Sequence, residues 1–444
     1  MSRAGEREPA DGVTPLRGNT DFLLLWIGAG LSLLGARVVS LAYPLLVYAQ
    51  THSPGRAGLV GFAALAPYAV VQLPAGVLVD RWDRRTVMIA CDAGRVLALG
   101  ALVCALLLDR PAFALLMAVA FAEGSLTVTY RLAERAAVRN VVEPGQLPAA
   151  LSRNEAREQA AGLLGRPCGP ALFGLAVWAP FVFTVVGQAL GLLTLLLIRK
   201  PFQRPRAPAG PRRMRADLAA GLAWVWREPL MRAASGLIAG SNLLFQALNL
   251  TLVITIGKGA DLTVIVAVSA VGGMLGALSA PWFRRRASLR TVIIVANAVW
   301  AVLMPLVALT RDPVALALLF AGMGFAGAVW NVAVVVYQLR VTPDELQGRI
   351  NGVVGLVAFG PTALGSLLAG YLLGEFGPAG TVYALSAAMA VLALAAVASP
   401  AVRAAGPAAD RPGREERPPE PAGAAASGTT PGGAAPGGAA RDAS

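Results

Sequence analysis

Apolar residues in this chain come in runs of about 20, the length that crosses a hydrocarbon core about 30 Å thick. Such runs begin at Phe22, Ala57, Val87, Ala112, near Ala160 and at Phe181. A polar stretch from Arg199 to Glu228 interrupts them, and six more begin near Arg232, Leu262, Thr291, Val314, Ile350 and Pro378. The pattern predicts an all-α integral membrane protein of 12 transmembrane helices, arranged as two six-helix bundles over residues 21–198 and 232–400. Residues 1–20 read as a polar tail without a removable signal peptide, and 401–444, rich in Pro, Gly, Ala and Arg, as a disordered tail. Within the linker 199–231, Met214, Leu218, Leu222 and Val225 recur at helical spacing beside Trp224 and Trp226, which predicts an amphipathic helix at the membrane interface.

An internal repeat supports two equivalent halves. Val142, Pro144, Leu147 and Asn154 precede Gly169, Pro170 and Gly174 in the first half. Val341, Pro343, Leu346 and Asn351 precede Gly360, Pro361 and Gly365 in the second.

Composition agrees with this reading: 56% of residues are hydrophobic, 14% are charged and the mean hydropathy is +0.62. The net charge of +13 is not a nucleic-acid signature, because the arginines sit in short clusters between apolar runs. Alternate loops are arginine-rich: Arg81, Arg84 and Arg85, then Arg135 to Arg157, the Arg199 to Arg232 cluster, and Arg284 to Arg290. The intervening loops hold only Arg56, Arg110, Lys258 and Arg311, so the positive-inside rule places both termini in the cytoplasm. Cys91, Cys104 and Cys168 lie inside apolar runs without paired spacing, which implies neither disulfides nor a metal site. His52 stands alone, Gly322 to Gly327 matches a dinucleotide pattern but lies inside a predicted span, and no phosphate-binding P-loop occurs. No cofactor and no enzymatic activity are expected, and energy must come from a gradient.

The loop after the second span reads Gly76-Val-Leu-Val-Asp80-Arg81-Trp-Asp83-Arg84-Arg85. Gly76 and Asp80 share a helical face, so the glycine admits a neighbouring helix while Asp80 meets its positive N-terminus or pairs with Arg84. Such a charge lock holds one conformation only. Gly76, Asp80, Arg81, Arg84 and Arg85 resemble the signature loop of the major facilitator superfamily, and the likeness extends over nearly the whole hydrophobic chain. Ala42 to Tyr48, Asp217 to Leu230 and Val341 to Asn351 resemble the branch containing the bacterial enterobactin exporter. The resemblance implies alternating access by two bundles around a central cavity lined by the first, fourth, seventh and tenth helices. Gly165, Gly169, Pro170 and Gly174 resemble the fifth-helix motif of exporters, or equally a bend with small-residue packing.

Two positions depart from proton-driven drug exporters of that superfamily, which carry an acid in the first helix and an arginine in the fourth. Here the first helix has Arg37 and the fourth has Glu123. At 1.5 Å per residue Arg37 lies roughly 21 Å, and Glu123 roughly 16 Å, from the starts of their spans, at similar membrane depth. They are expected to face one another, either as proton-coupling and cavity charges or as a buried structural pair. Asp92 and Arg95, three residues apart, read as a shallow local pair or a brace for the Asp80 loop. Arg166, deeper in the fifth span, either attracts an anion or pairs with a carbonyl or an acid. Asn242, Gln246, Trp330 and Asn331 are polar handles for an apolar pocket or interhelical hydrogen bonders, and Tyr43 and Tyr68 line the cavity or pack.

The expectation is a monomeric transporter of the bacterial inner membrane that exports hydrophobic or amphipathic molecules of the drug, antibiotic or siderophore class. Protons are its expected coupling ion and anionic lipids its surroundings. An importer or uniporter, or a receptor with a transporter fold, are the alternatives.

Overall fold

A computed structural model describes residues 16–405 apart from 110, 199, 201, 203–213, 258 and 343–346. Both expected tails fall almost wholly outside these residues. Among the described residues there are helices and no strands.

The first half comprises α1 (Thr20–Thr51), α2 (Pro54–Leu65), α3 (Pro67–Val70), α4 (Gln72–Arg81), α5 (Arg84–Leu107), α6 (Phe113–Val141), α7 (Leu147–Leu175) and α8 (Ala179–Leu197). After the short α9 (Met214–Arg227), the second half comprises α10 (Pro229–Ile256), α11 (Ala260–Arg286), α12 (Leu289–Leu306), α13 (Pro313–Val341), α14 (Gln347–Phe359) and α15 (Thr362–Ala398), with α16 (Pro400–Ala404) at its close. Among the described residues nine helical stretches are long and apolar enough to cross a membrane, and the bent pair Pro54–Val70 and Gln72–Arg81, angled by 52°, makes a tenth.

Local chemistry sets the boundaries. Asn19, Ser53, Asp83, Ser288 and Asp312 each precede a helix and accept a hydrogen bond from a backbone N–H of its first turn. Proline follows at the first position of α2, α10 and α13, where its missing N–H costs nothing. Gly377, at φ 65°, breaks the regular course of α15. Large apolar side chains such as Leu97 (73% exposed), Leu278 (72%) and Leu394 (69%) stand on the outer surface, where lipid and not water is the compatible neighbour.

Successive helices alternate between two ends. One carries Arg81 to Arg85, Arg139 and Arg284 to Arg290 and is called the arginine end; the other carries the turns at His52, Asp109, Gly257 and Asp312. Within the first half α1 packs on α2, α7 and α8, and α5 on α6 and α8; within the second, α11 packs on α13, α10 on α15, and α12 on both α13 and α15. The repeat is visible here: α7 crosses α1 at Gly165 and Gly169, and the α14–α15 segment crosses α10 at Gly365, where a Cβ would lie 2.3 Å from the Leu243 carbonyl.

Contact between the halves runs through α2 with α15 and α7 with α11. It is tightest away from the arginine end. A Cβ on Gly58 would stand 2.6 Å from the Ser366 carbonyl and 3.0 Å from the Gly370 Cα, and one on Gly174 would stand 3.5 Å from the Gly259 Cα. One apolar core passes there from Val39–Val47, Phe173 and Phe181 into the second half, whereas at the arginine end Phe22, Leu25, Met88 and Val138 form a separate core of the first half. The α9 helix packs on α14 through Val225, Ile350 and Val353, while Leu222 and Trp226 stay exposed, as an interfacial helix requires. The side chains of Met214 and Leu218 are outside the described set.

Candidate functional site

The first half encloses an ionic group built on three helices. Asp92 and Arg95 are three residues apart on α5, hence on one face, and form an ion pair at 0% and 1% exposure. Arg95 also donates to Ser32 Oγ of α1 at 2.5 Å and to Thr127 Oγ1 of α6 at 3.2 Å, with its guanidinium 4.8 Å from the Tyr130 ring centroid. Thr127 in turn donates to Glu123 Oε1 at 2.9 Å. One guanidinium therefore serves two carboxylates, and with both ionised the group carries a net negative charge. In a bundle this enclosed, an unmatched charge is costly.

Two expectations need correction. Asp92 and Arg95 do pair with each other, but they are fully buried and link α1, α5 and α6; they do not brace the Asp80 loop. Glu123 does not face Arg37: its charged neighbour is Arg95, which it shares with Asp92, while Arg37 lies among Tyr68, Arg131 and Glu158. Equal depth fixes height along the membrane normal and leaves the direction around each helix free.

Arg37 belongs to a second group, on the inner side of α1, α3, α6 and α7. Arg131 of α6 pairs with Glu158 of α7 at 2.8 Å and also faces the Tyr68 hydroxyl. Arg135 reaches the other Glu158 oxygen at 3.5 Å. Arg166 is exposed and within electrostatic reach of Arg37. Nearer the arginine end, Glu134 and Arg157 close a buried pair at 2.6 Å, and Arg157 also donates to the Trp26 carbonyl. Sequence reading missed Thr127, Arg131, Glu134 and Glu158. For Thr127 and Arg131 the signal was present, since Glu123, Thr127, Arg131 and Arg135 recur every fourth residue and so form one polar stripe along α6.

At the arginine end, Asp83 caps α5, Arg84 donates to the Ala136 carbonyl at 2.9 Å and Arg85 to the Leu196 carbonyl at 3.1 Å. These bonds tie the loop to its own half. Asp80 and Arg81 are exposed, and a Cβ on Gly76 would meet nothing within 4 Å. The neighbouring helix expected against Gly76 is absent in this conformation, because α4 packs on α3, α5 and α6 while the halves meet at the other end.

The fifth-helix glycines do the packing that their size allows. A Cβ on Gly165 would be 2.6 Å from Arg37 Cβ, and one on Gly169 would be 2.7 Å from the Val38 carbonyl. Pro170 is buried beside them, and Gly174 sits at the seam between the halves. Among the cavity candidates, Asn242 donates to the Ala358 carbonyl at 2.8 Å and Gln246 to Ser366 Oγ at 3.1 Å, so both are interhelical bonds. Tyr43 is 1% exposed and packs on Phe181, and Trp330 packs on Trp300 with ring centroids 5.0 Å apart. These two are core residues, whereas Tyr68 is half-buried and Asn331 exposed.

A paired-helix repeat, ionic groups held between apolar helices and contact between the halves that is tightest away from the arginine end are the architecture of a two-bundle membrane transporter. Residues 25–357 match the Major Facilitator Superfamily model, and the chain belongs to that family. It is similar to the multidrug efflux pump Tap of Mycolicibacterium fortuitum, with 26% identity over 381 residues that cover 81% of this chain and 90% of the relative. Tap of Mycobacterium tuberculosis H37Rv is 28% identical over 79% of this chain and 87% of its own length. Macrolide efflux protein A of Streptococcus pyogenes is 26% identical over 40% of this chain and 45% of its own. Among solved structures, a point mutant of the nucleoside transporter NupG superposes with a TM-score of 0.68 at 15% identity, covering 85% of this chain and 99% of that one. A bacterial homologue of the human lysosomal transporter Spinster, inward-facing and unoccupied, gives 0.61 at 17% identity over 89% and 98%. The chain is thus a transporter and not an enzyme, as its motifs predicted.

Proposed function

We propose that this protein exports drug-class amphipathic molecules across the bacterial inner membrane by alternating access, in exchange for protons. The carrying observation is the one-sided seam: Gly58 and Gly174 are closed against the second half while Gly76 is open. Two rigid bundles whose contact is tightest at one end can rock to exchange that contact for one at the other end. In this reading the chain crosses the membrane 12 times, Gly377 turning α15 back so that α14 with its first part and then its second part make the last two crossings. The arginine end then faces the cytoplasm, so this conformation is open inward, and Gly76, Asp80 and Arg84 close on α14 in the outward-open one. The export direction and the drug class rest on the efflux relatives.

Glu123 is the proposed proton carrier. It shares Arg95 with Asp92, so one proton brings the group to neutrality, and its other neighbours are Thr127 and the Tyr43 hydroxyl. The test is accumulation of a drug panel in a pump-deficient host, paired with proteoliposomes under an imposed pH gradient. The wild type should lower accumulation of at least one chemical class and respond to the gradient, and Glu123→Gln should abolish the response. Gradient-dependent transport that survives Glu123→Gln removes the coupling role.

A further inference from the structure

We infer that Arg37 and Arg166, with Arg131 and Tyr68, form an anion-recognition wall, and that the transported molecules carry a carboxylate, sulfonate or phosphate on an apolar body. The inference rests on the transport reading above and specifies its substrate.

The charge count at this place is lopsided. Arg37, Arg131 and Arg135 gather around one acid, Glu158, which is already held by Arg131 at 2.8 Å and Arg135 at 3.5 Å, and Arg166 lies within electrostatic reach of Arg37. Arg37 Nε is buried without a hydrogen-bond partner. Among the described residues neither Arg37 nor Arg166 has a carboxylate within 4.0 Å of its guanidinium. Nor can the second half supply one from mid-span, since its acids, Asp261, Asp312, Asp344, Glu345 and Glu375, all lie at or near the ends of its predicted spans. Glu123 and Asp92 are committed to Arg95, and Glu134 to Arg157.

The fold forces the two arginines together. Gly165 brings α7 against α1 so closely that a Cβ there would touch Arg37 Cβ at 2.6 Å, and Arg166 is the next residue. Two like charges placed side by side repel, and an anion bound between them relieves that repulsion. Guanidinium forks suit planar or tetrahedral oxyanions, which they grip with paired hydrogen bonds. Tyr68, half-buried and facing Arg131, adds an aromatic face and a hydroxyl for the apolar body to lie on.

The test uses three fluorescent probes of one shape: 1-pyrenebutyrate, its methyl ester and the matching primary amine. Binding to the purified full chain in phosphatidylcholine nanodiscs is read by fluorescence anisotropy. The carboxylate should bind at least tenfold more tightly than the amine, and Arg37→Gln with Arg166→Gln should weaken it at least tenfold while leaving the ester unchanged. Arg37→Lys with Arg166→Lys, which keeps charge, should restore part of the loss. Adding phosphatidylglycerol separates the sources of the anion: competition with the carboxylate means that a lipid headgroup also reaches the wall, and none means that the site is reserved for free molecules. Equal or reversed affinities, no binding of the carboxylate, or parallel loss of ester binding in the glutamine variant would overturn the inference. Proteoliposome transport of the same probes tests the parent reading separately: movement of amine or ester without anion preference spares export and sinks this inference. Anion-selective binding without movement of any probe does the reverse.

Discussion

Removing the Arg95 guanidinium should destabilise the first half more than any other single substitution among its described residues. Arg95→Met keeps most of the side-chain volume but strands both Asp92, at 0% exposure, and Glu123, at 5%. It also deletes the bonds to Ser32 and Thr127 and the stacking on Tyr130. Breaking one side of a buried pair costs about 3 to 5 kcal/mol, because the remaining charge is left uncompensated. For a unit of roughly 180 residues each kcal/mol lowers the midpoint by about 2 to 4 °C, so the expected loss is about 6 °C at least. Asp92→Asn together with Arg95→Met restores charge balance around Glu123 only in part, yet should be less damaging than Arg95→Met alone. Cys91 provides the readout, being 4% exposed and next to Asp92. With Cys104 and Cys168 replaced by serine, its reaction with a fluorogenic maleimide on heating reports opening of this group. A midpoint within about 2 °C of wild type, or a double variant that loses the sum of the two single losses, would refute the placement of Arg95 as the hub.

Three further outcomes follow from the geometry. Gly58→Leu inserts a side chain where even a Cβ meets the Ser366 carbonyl at 2.6 Å. It should disfavour the closed seam by about 1 to 3 kcal/mol, roughly a fivefold to 150-fold shift in population, seen as reduced labelling of a Gly76→Cys reporter. Gly377→Ala meets no neighbour but must hold φ 65°, so it should cost about 1 kcal/mol in thermal stability, and Gly377→Asn less. Glu134→Gln keeps an acceptor for Arg157 but removes the charge that pairs with it and should lower the maleimide midpoint, whereas Glu155→Gln, on an exposed position, should leave it within about 1 °C.

Span positions were legible because lipid demands long apolar runs, and eleven of the twelve expected starts fall within about four residues of a helix start or break in the structure. The exception is α7, which begins at Leu147 and not near Ala160, because its first turns are polar: Arg153, Glu155, Arg157 and Glu158 extend the helix past the apolar stretch. Hydropathy could not see that extension, yet it supplies the partners of Glu134 and Arg131. Pairing was harder to read. Arg37 and Glu123 are at similar heights, but only the crossing of α1 and α7 at Gly165 decides that Arg37 turns toward Arg166. The signature loop was recognisable from Gly76 to Arg85, whereas its state was not, since a lock that closes in one conformation leaves no trace in sequence of which conformation is occupied.

The most direct test of alternating access places spin labels across both ends in a cysteine-free background, one pair at Arg81 and Gly352 and one at Arg56 and Glu375. In the conformation described here the first pair should be far apart and the second close. Changing pH or adding substrate should shorten the first distance as the second lengthens, in the same fraction of molecules. Distances that rise and fall together, or an Arg81–Gly352 pair that never closes, would contradict the account.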